Sequence, residues 1–295
     1  MIKYYDRKKK TYYKENVAGG NILNFMYSNP VAKTFIPKIA SRKFLSKLYG
    51  MGCDSKFSKK YIHPFIDRFN INIDEYEKNI DEYSSFNDFF YRKLSKHSRN
   101  ICKDDESFIS PCDGKLLAIE KIDENSSFTV KGFKYTLNEL LQNEELSKNY
   151  SNGTCLIFRL CPTDYHRFHF VDSGTCSKST FIKGKYYSVN PVALENISKV
   201  FSENKREYSI LKSDNFDDVI YIEVGATFVG SIIQTYSSSS KINRGDEKGY
   251  FKFGGSTVII ILKENILKLD EDICYQSNLG VETSVYMGEK IGVRI

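Results

Sequence analysis

The chain has 295 residues, 41% of them apolar and 27% charged, enough for one large domain or two modest ones around a real core. No run approaches the roughly eighteen apolar residues of a membrane-spanning helix, and the polar opening MIKYYDRKKKTYYKEN lacks the apolar stretch of a secretory leader. The net charge of +6 is uneven: residues 1–60 hold fourteen Lys or Arg against three Asp or Glu, a balance of +11, which leaves −5 for the rest. A basic module on a mildly acidic body points to a polyanionic surface. The seven cysteines are scattered and none is spaced CxxC; reduced thiols in a cytosolic setting are expected.

Along the first hundred residues the apolar positions Val31, Phe35, Ile39, Phe44 and Leu48 recur every four or five residues among lysines. Pro37 breaks that pattern, because it lacks an N–H and restricts the residue before it. Two short helices are expected, the second from about Ser41 to Tyr49 with Gly50 as its stop. A basic amphipathic helix of this kind can lie in a membrane interface or dock on the protein's own core. In SSFNDFFYRKL, Ser85 suits a helix N-cap and Asp88 the first turn, while Phe86, Phe89, Phe90 and Leu94 form an apolar stripe whose default role is packing. The polar stretch from Lys96 to Glu106 reads as a linker.

From about residue 105 the texture changes to short apolar runs separated by polar turns. LLAIEKI (116–122), TCLIFRL (154–160), VIYIEVGATFVGSII (219–233) and TVIIIL (257–262) read as strands. The lack of βαβ alternation and of a nucleotide-binding glycine motif argues against a doubly wound fold. The expected class is α+β: a basic helical region over 1–100 and a mostly β domain over 105–295.

Three short segments carry chemistry. Gly254-Gly255-Ser256-Thr257 places a hydroxyl directly after two glycines, and glycine tolerates the dihedrals needed for Ser256 to attack the preceding carbonyl. Converting that peptide to an ester and eliminating it leaves a pyruvoyl ketone at a new N-terminus. DYHRFHF holds two of the four histidines, His166 and His169; with no third histidine or thiol pair nearby, zinc is disfavoured. Positions i and i+3 face opposite sides of a strand, so a shared pocket requires a bend here. SPCDG offers Asp113 in ordinary turn chemistry. Asp113, His169 and Ser256 supply the parts of an acid–base–nucleophile relay.

SPCDG, DYHRFHF and RGDEKGYFKFGGSTVIII, in this order, resemble the phosphatidylserine decarboxylases, as do SFNDFFYRKL and VGATFVGSI; the similarity covers about residues 84–262. Cys112, and Ala226-Thr227-Phe228 within the VGSI-like strand, depart from the family pattern. The resemblance implies self-cleavage at Gly255–Ser256 by the Asp113–His169–Ser256 relay. The products would be a β chain of residues 1–255 and an α chain of residues 256–295 that stay associated. The implied cofactor is pyruvate, as a covalent pyruvoyl group from Ser256 that forms a Schiff base with phosphatidylserine, while His166 serves the decarboxylation. The expected product is phosphatidylethanolamine, and the expected partners are the substrate, an anionic membrane surface at the cytoplasmic face of the cell membrane, and a second copy in a homodimer. No nucleic-acid-binding module is recognisable. The alternatives are a pyruvoyl decarboxylase of another aminophospholipid or amino acid, an uncleaved Ser/His/Asp hydrolase, and an inactive membrane-binding module.

Overall fold

The computed structural model describes residues 3–15, 43–226, 231–252, 254 and 256–295. The helix expected around Val31, Phe35, Pro37 and Ile39 lies outside the described residues, as do Gly255 and residues 227–230 of the VGATFVGSI run.

In chain order the first strands are β1 (Lys3–Asp6), β2 (Thr11–Lys14), β3 (Ser107–Ile109), β4 (Gly114–Ile119), β5 (Ser127–Val130) and β6 (Phe133–Thr136). There follow β7 (Thr154–Leu160), β8 (Arg167–His169), β9 (Gly174–Cys176), β10 (Thr180–Ile182), β11 (Arg206–Ser213) and β12 (Asp218–Val224). The last are β13 (Ile232–Gln234), β14 (Lys241–Ile242), β15 (Glu247–Phe251), β16 (Ser256–Leu262), β17 (Leu267–Leu269), β18 (Glu282–Val285) and β19 (Lys290–Arg294). The main sheet runs β14-β9-β11-β12-β16-β7-β4-β18-β1-β2, with β10 beside β11. Two three-stranded sheets, β13-β15-β8 and β17-β19-β3, and the β5–β6 hairpin complete the β body. The class is α+β with a mostly β core, as the sequence led us to expect.

β16 and β7 occupy the middle of the main sheet and are buried along their whole length. Val258, Ile260 and Leu262 pack with Phe108, Phe168, Phe170 and Phe251 on one face. Ile259 and Ile261 pack with Phe128, Tyr135, Leu140 and Phe201 on the other. Burial on both faces explains why these strands read as unbroken apolar runs rather than as alternating ones.

A separate helical cluster packs Cys53, Ile62, Ile66, Tyr83, Phe86, Phe89 and Phe90 together. Ser85 caps the helix Phe86–Phe90 by accepting the Asp88 N–H at 3.1 Å. Three expectations fail locally. Gly50 does not end its helix, which runs Lys43–Asp54; the modest cost of a glycine inside a helix is offset as Cys53 joins the aromatic cluster. The first residues of the basic region are not helical. They form the β1–β2 hairpin, which Asp6 turns by accepting the Lys8 and Lys9 N–H groups, each at 3.0 Å, and β1 joins β18 in a parallel pair. The stretch from Lys96 to Glu106 is also more than a linker: Ile101 packs against the main core, and Arg99 reaches Asp113.

Candidate active site

Ser256 opens β16 and is fully buried. Gly254, two residues before it, has φ +134°, a backbone region that side chains disfavour and glycine accepts. The Ser256 hydroxyl lies 3.3 Å from His166 Nδ1. The other ring nitrogen, Nε2, lies 2.9 Å from the Cys161 carbonyl. A carbonyl only accepts, so Nε2 carries the proton and Nδ1 presents a lone pair, to which Ser256 donates. The imidazole stacks on Phe90, with ring centroids 4.0 Å apart and planes 25° apart. Burial, reinforced by the nearby charge of Arg92, pushes the His166 pKa down to about 3, against a small upward pull from the Cys161 carbonyl. At neutral pH this ring is an uncharged proton acceptor.

His169 has the opposite tautomer. Its Nδ1 donates to the Gly245 carbonyl at 2.9 Å, which leaves Nε2 to accept from the Tyr165 hydroxyl at 3.0 Å. Burial lowers its pKa as well, and raises that of the Tyr165 phenol. Asp113 receives three hydrogen bonds: from Arg99 Nε (3.1 Å) and Nη2 (2.6 Å), and from the Met287 N–H (2.8 Å). Arg99 also binds Glu75 at 2.8 Å.

In this structure the side chains of Asp113, His169 and Ser256 are not joined to one another by hydrogen bonds. Asp113 and His169 are neighbours, since the His169 N–H donates to Pro111 at 2.8 Å, but their side chains are engaged elsewhere. His166, the residue expected to serve the decarboxylation, is the histidine against Ser256. The reason is the bend in DYHRFHF. The turn from Cys161 to Asp164 closes through the Asp164 N–H on the Cys161 carbonyl at 2.9 Å and the Cys161 N–H on Asp164 Oδ2 at 2.8 Å. His166 leaves that turn before β8 begins, whereas His169 ends β8 on the side of the Gly245 loop.

Sequence reasoning overlooked Arg99 because it sits in apparent linker, and it gave Tyr165 no role although it adjoins both histidines. Arg167, between the two histidines, is buried and paired with Glu247 at 2.8 Å. Lys252 pairs with Asp54 at 3.4 Å, and residues 237–240 are exposed. Among the described residues, no three His, Cys, Asp or Glu side chains converge on a metal-holding arrangement.

A buried serine, two residues after a glycine in a conformation few residues adopt and facing a neutral imidazole lone pair, marks the start of β16 as the candidate active site of this β protein. The family model for phosphatidylserine decarboxylase matches residues 86–293. The chain is 55% identical over 294 residues to the phosphatidylserine decarboxylase proenzyme of Clostridium botulinum (strain Hall), covering 100% of both chains. It is 53% identical over 295 residues to the proenzyme of Clostridium novyi, again covering 100% of both. With that of Desulfitobacterium hafniense (strain Y51) it shares 54% identity over 294 residues, 100% of this chain and 99% of the relative. The chain belongs to the phosphatidylserine decarboxylase family.

Proposed function

We propose that this chain is a self-processing proenzyme that removes the serine carboxylate of phosphatidylserine as CO2 and leaves phosphatidylethanolamine. The observation that carries this reading is the Ser256 hydroxyl on the unprotonated nitrogen of His166, directly after the glycine pair. As Ser256 Oγ attacks the Gly255 carbonyl carbon, the relay that the resemblance implies, His169 supported by Asp113, takes the hydroxyl proton and returns it to the departing amide nitrogen, so that the peptide becomes an ester. Loss of the Ser256 α-proton expels the Gly255 carboxylate from the β-carbon. Water then replaces the nitrogen, released as ammonia, with oxygen. The residue-256 position fits a pyruvoyl group, because it is dry and faces a neutral hydrogen-bonding ring.

A pyruvoyl group there supplies a ketone that engages the substrate amine and withdraws the electron pair left as CO2 departs. The chain's own contribution is positional. His166 faces residue 256 and is placed to hand a proton back to carbon. Tyr165 and Arg99 hold the relay residues His169 and Asp113. The two chains stay together because β16 lies between β12 and β7, and β18 between β4 and β1. The five apolar side chains from Val258 to Leu262 are fully buried and contribute on the order of 10 kcal/mol to that association.

Access to a bilayer substrate is assigned to the helical region. A groove of about 650 Å³ there is lined by Phe57, Tyr61, Phe65, Phe69 and Phe86, with Lys60 and Arg68 among its walls. Phe57 is 85% exposed, and Leu48 and Met51 are exposed as well. Basic groups beside unburied aromatics suit the surface of an anionic membrane, where each cation contributes roughly 1 kcal/mol. No described helix is long and apolar enough to cross a membrane. Binding to phosphatidylserine vesicles is expected to weaken with salt and with Phe57→Ala. The homodimer expected from the resemblance is tested by native mass.

The deciding experiment is the intact mass of the denatured protein together with CO2 release from phosphatidylserine vesicles. Two fragments, 1–255 and 256–295, are expected, the smaller headed by a ketone that hydroxylamine traps. His166→Ala is expected to cleave normally and to decarboxylate roughly 10²–10⁴-fold more slowly, whereas His169→Ala is expected to stay uncleaved. A chain that stays full-length, with an ordinary serine at position 256, overturns the reading.

A further inference from the structure

His169 ends a strand of the small sheet β13-β15-β8, whereas Ser256 opens a strand of the main sheet. Their relative placement depends on what fixes one sheet against the other. β15 is irregular at that place: Glu247 pairs with His169 and Gly249 with Phe168, which leaves Lys248 as the extra residue of a bulge. Bulges bend a strand and re-aim its side chains. Glycine follows at 249 because a Cβ there would lie 2.2 Å from the Ile233 carbonyl oxygen and 2.7 Å from the Phe168 ring.

Lys248 turns inward and is fully buried, as is Glu223 on β12. Its Nζ donates to Glu223 Oε1 at 2.8 Å and to Gln234 Oε1 at 3.0 Å. The Gln234 amide donates in turn to Glu223 Oε2 at 3.0 Å and to Glu207 Oε2 at 3.3 Å. The rings of Tyr236, Tyr221 and Phe168 surround the ammonium at 5.0, 5.3 and 5.6 Å. Tyr221 also grips the chain beside His169: its hydroxyl accepts the Val171 N–H at 2.7 Å and donates to the His169 carbonyl at 3.4 Å. Glu223 pairs with Val258, two residues after Ser256, so the Glu223 and Ser256 side chains project from the same face of the main sheet.

Taking an ammonium and a carboxylate out of water is costly, and apolar residues of similar volume often serve stability as well. A pair that adds little to stability, placed at the register shift opposite His169, is suited to fixing geometry. We propose that Lys248 and Glu223 are positioning residues for self-cleavage: by locking the β15 bulge onto β12 they set where His169 stands relative to Ser256. The consequence for cleavage rests on the reading of His169 as a relay residue; the placement of His169 does not.

The test separates placement from stability. Lys248→Met with Glu223→Leu removes both charges together, so neither is stranded, and the urea midpoint of the uncleavable Ser256→Ala chain is expected to stay near the parent's. Cleavage of the Ser256 chain, followed as intact mass against time, is expected to slow roughly tenfold or more, since a misplacement of about 1 Å can cost about a hundredfold. In the Ser256→Ala chain, NMR of labelled histidine is expected to show the His169 ring signals moved and those of His63 and His97, which lie outside both sheets, unmoved. Phe201→Leu, a core change behind the other face of the main sheet, is expected to lower the urea midpoint and leave cleavage at the parent rate. Unmoved His169 signals in a folded double variant overturn the proposal at any cleavage rate, as does equal slowing by Phe201→Leu. Moved signals with parent cleavage support the placement and instead remove His169 from the relay. If the double variant does not fold, Gln234→Leu decides, because it removes the amide that braces Lys248 and Glu223; the same displacement is expected, and unmoved His169 signals overturn the proposal.

Discussion

Acidification of the uncleavable Ser256→Ala chain tests whether the ring beside Ser256 is a neutral acceptor. The folded pKa of His166 is depressed from 6.5 to about 3, first by burial. Well above pH 6.5 both the folded and unfolded states hold a neutral ring, and His166 contributes nothing to the pH dependence. Below it the unfolded chain takes up a proton that the folded chain refuses until about pH 3, so stability falls as pH falls. Each unit of pKa difference corresponds to about 1.4 kcal/mol, so between pH 8 and pH 4.5 the loss through His166 alone is about 3 kcal/mol. The assay is urea unfolding at both pH values, for the Ser256→Ala chain and for the same chain carrying His166→Gln. His169, lowered by burial too, adds a loss of the same sign to both chains and cancels in the comparison. A difference between the chains below about 1 kcal/mol would mean that His166 accepts a proton while folded, and the assignment of Nδ1 as a free lone pair would fall.

Asp113→Ala leaves Arg99 without its main partner and the Met287 N–H without an acceptor; unfolding of the Ser256→Ala chain is expected to show a loss of about 3–5 kcal/mol, and a loss under about 1 kcal/mol would refute a bracing role. Lys248 and Glu223 are fully buried and paired at 2.8 Å. Lys248→Met alone is expected to cost about 3–5 kcal/mol by stranding a carboxylate, and adding Glu223→Leu to recover most of it, as a urea series on the three chains would show. Arg7 binds Asp270 at 2.9 Å and Asp272 at 3.0 Å, which ties the first hairpin to the segment that we propose becomes the α chain. After processing, Arg7→Ala is expected to lower the urea concentration at which that fragment separates on a sizing column.

Much of this was legible in the residues themselves. Unbroken apolar runs gave β7 and β16 because a strand buried on both faces carries no polar alternation to obscure it. Ser85 announced its helix through a cap that depends only on local backbone geometry. GGST pointed to self-processing because attack on the preceding carbonyl needs a hydroxyl after a permissive glycine, and the order of SPCDG, DYHRFHF and GGST carried the family resemblance. The β1–β2 hairpin was missed although paired tyrosines flank an Asp-initiated turn; its charge drew attention to a partner surface instead of to β18, some 280 residues away.

What the sequence determined alone was the inventory: a serine after two glycines, two histidines three apart, an aspartate in a turn, and a β body to hold them. Which histidine meets Ser256 was decided only by tertiary structure. The turn between Cys161 and Asp164, closed by its own hydrogen bonds and held from outside by Arg92, rotates His166 toward β16 and leaves His169 to Tyr165 and Gly245. A proton follows distances of about 3 Å, and distances of that size between residues ninety positions apart are properties of the packed fold.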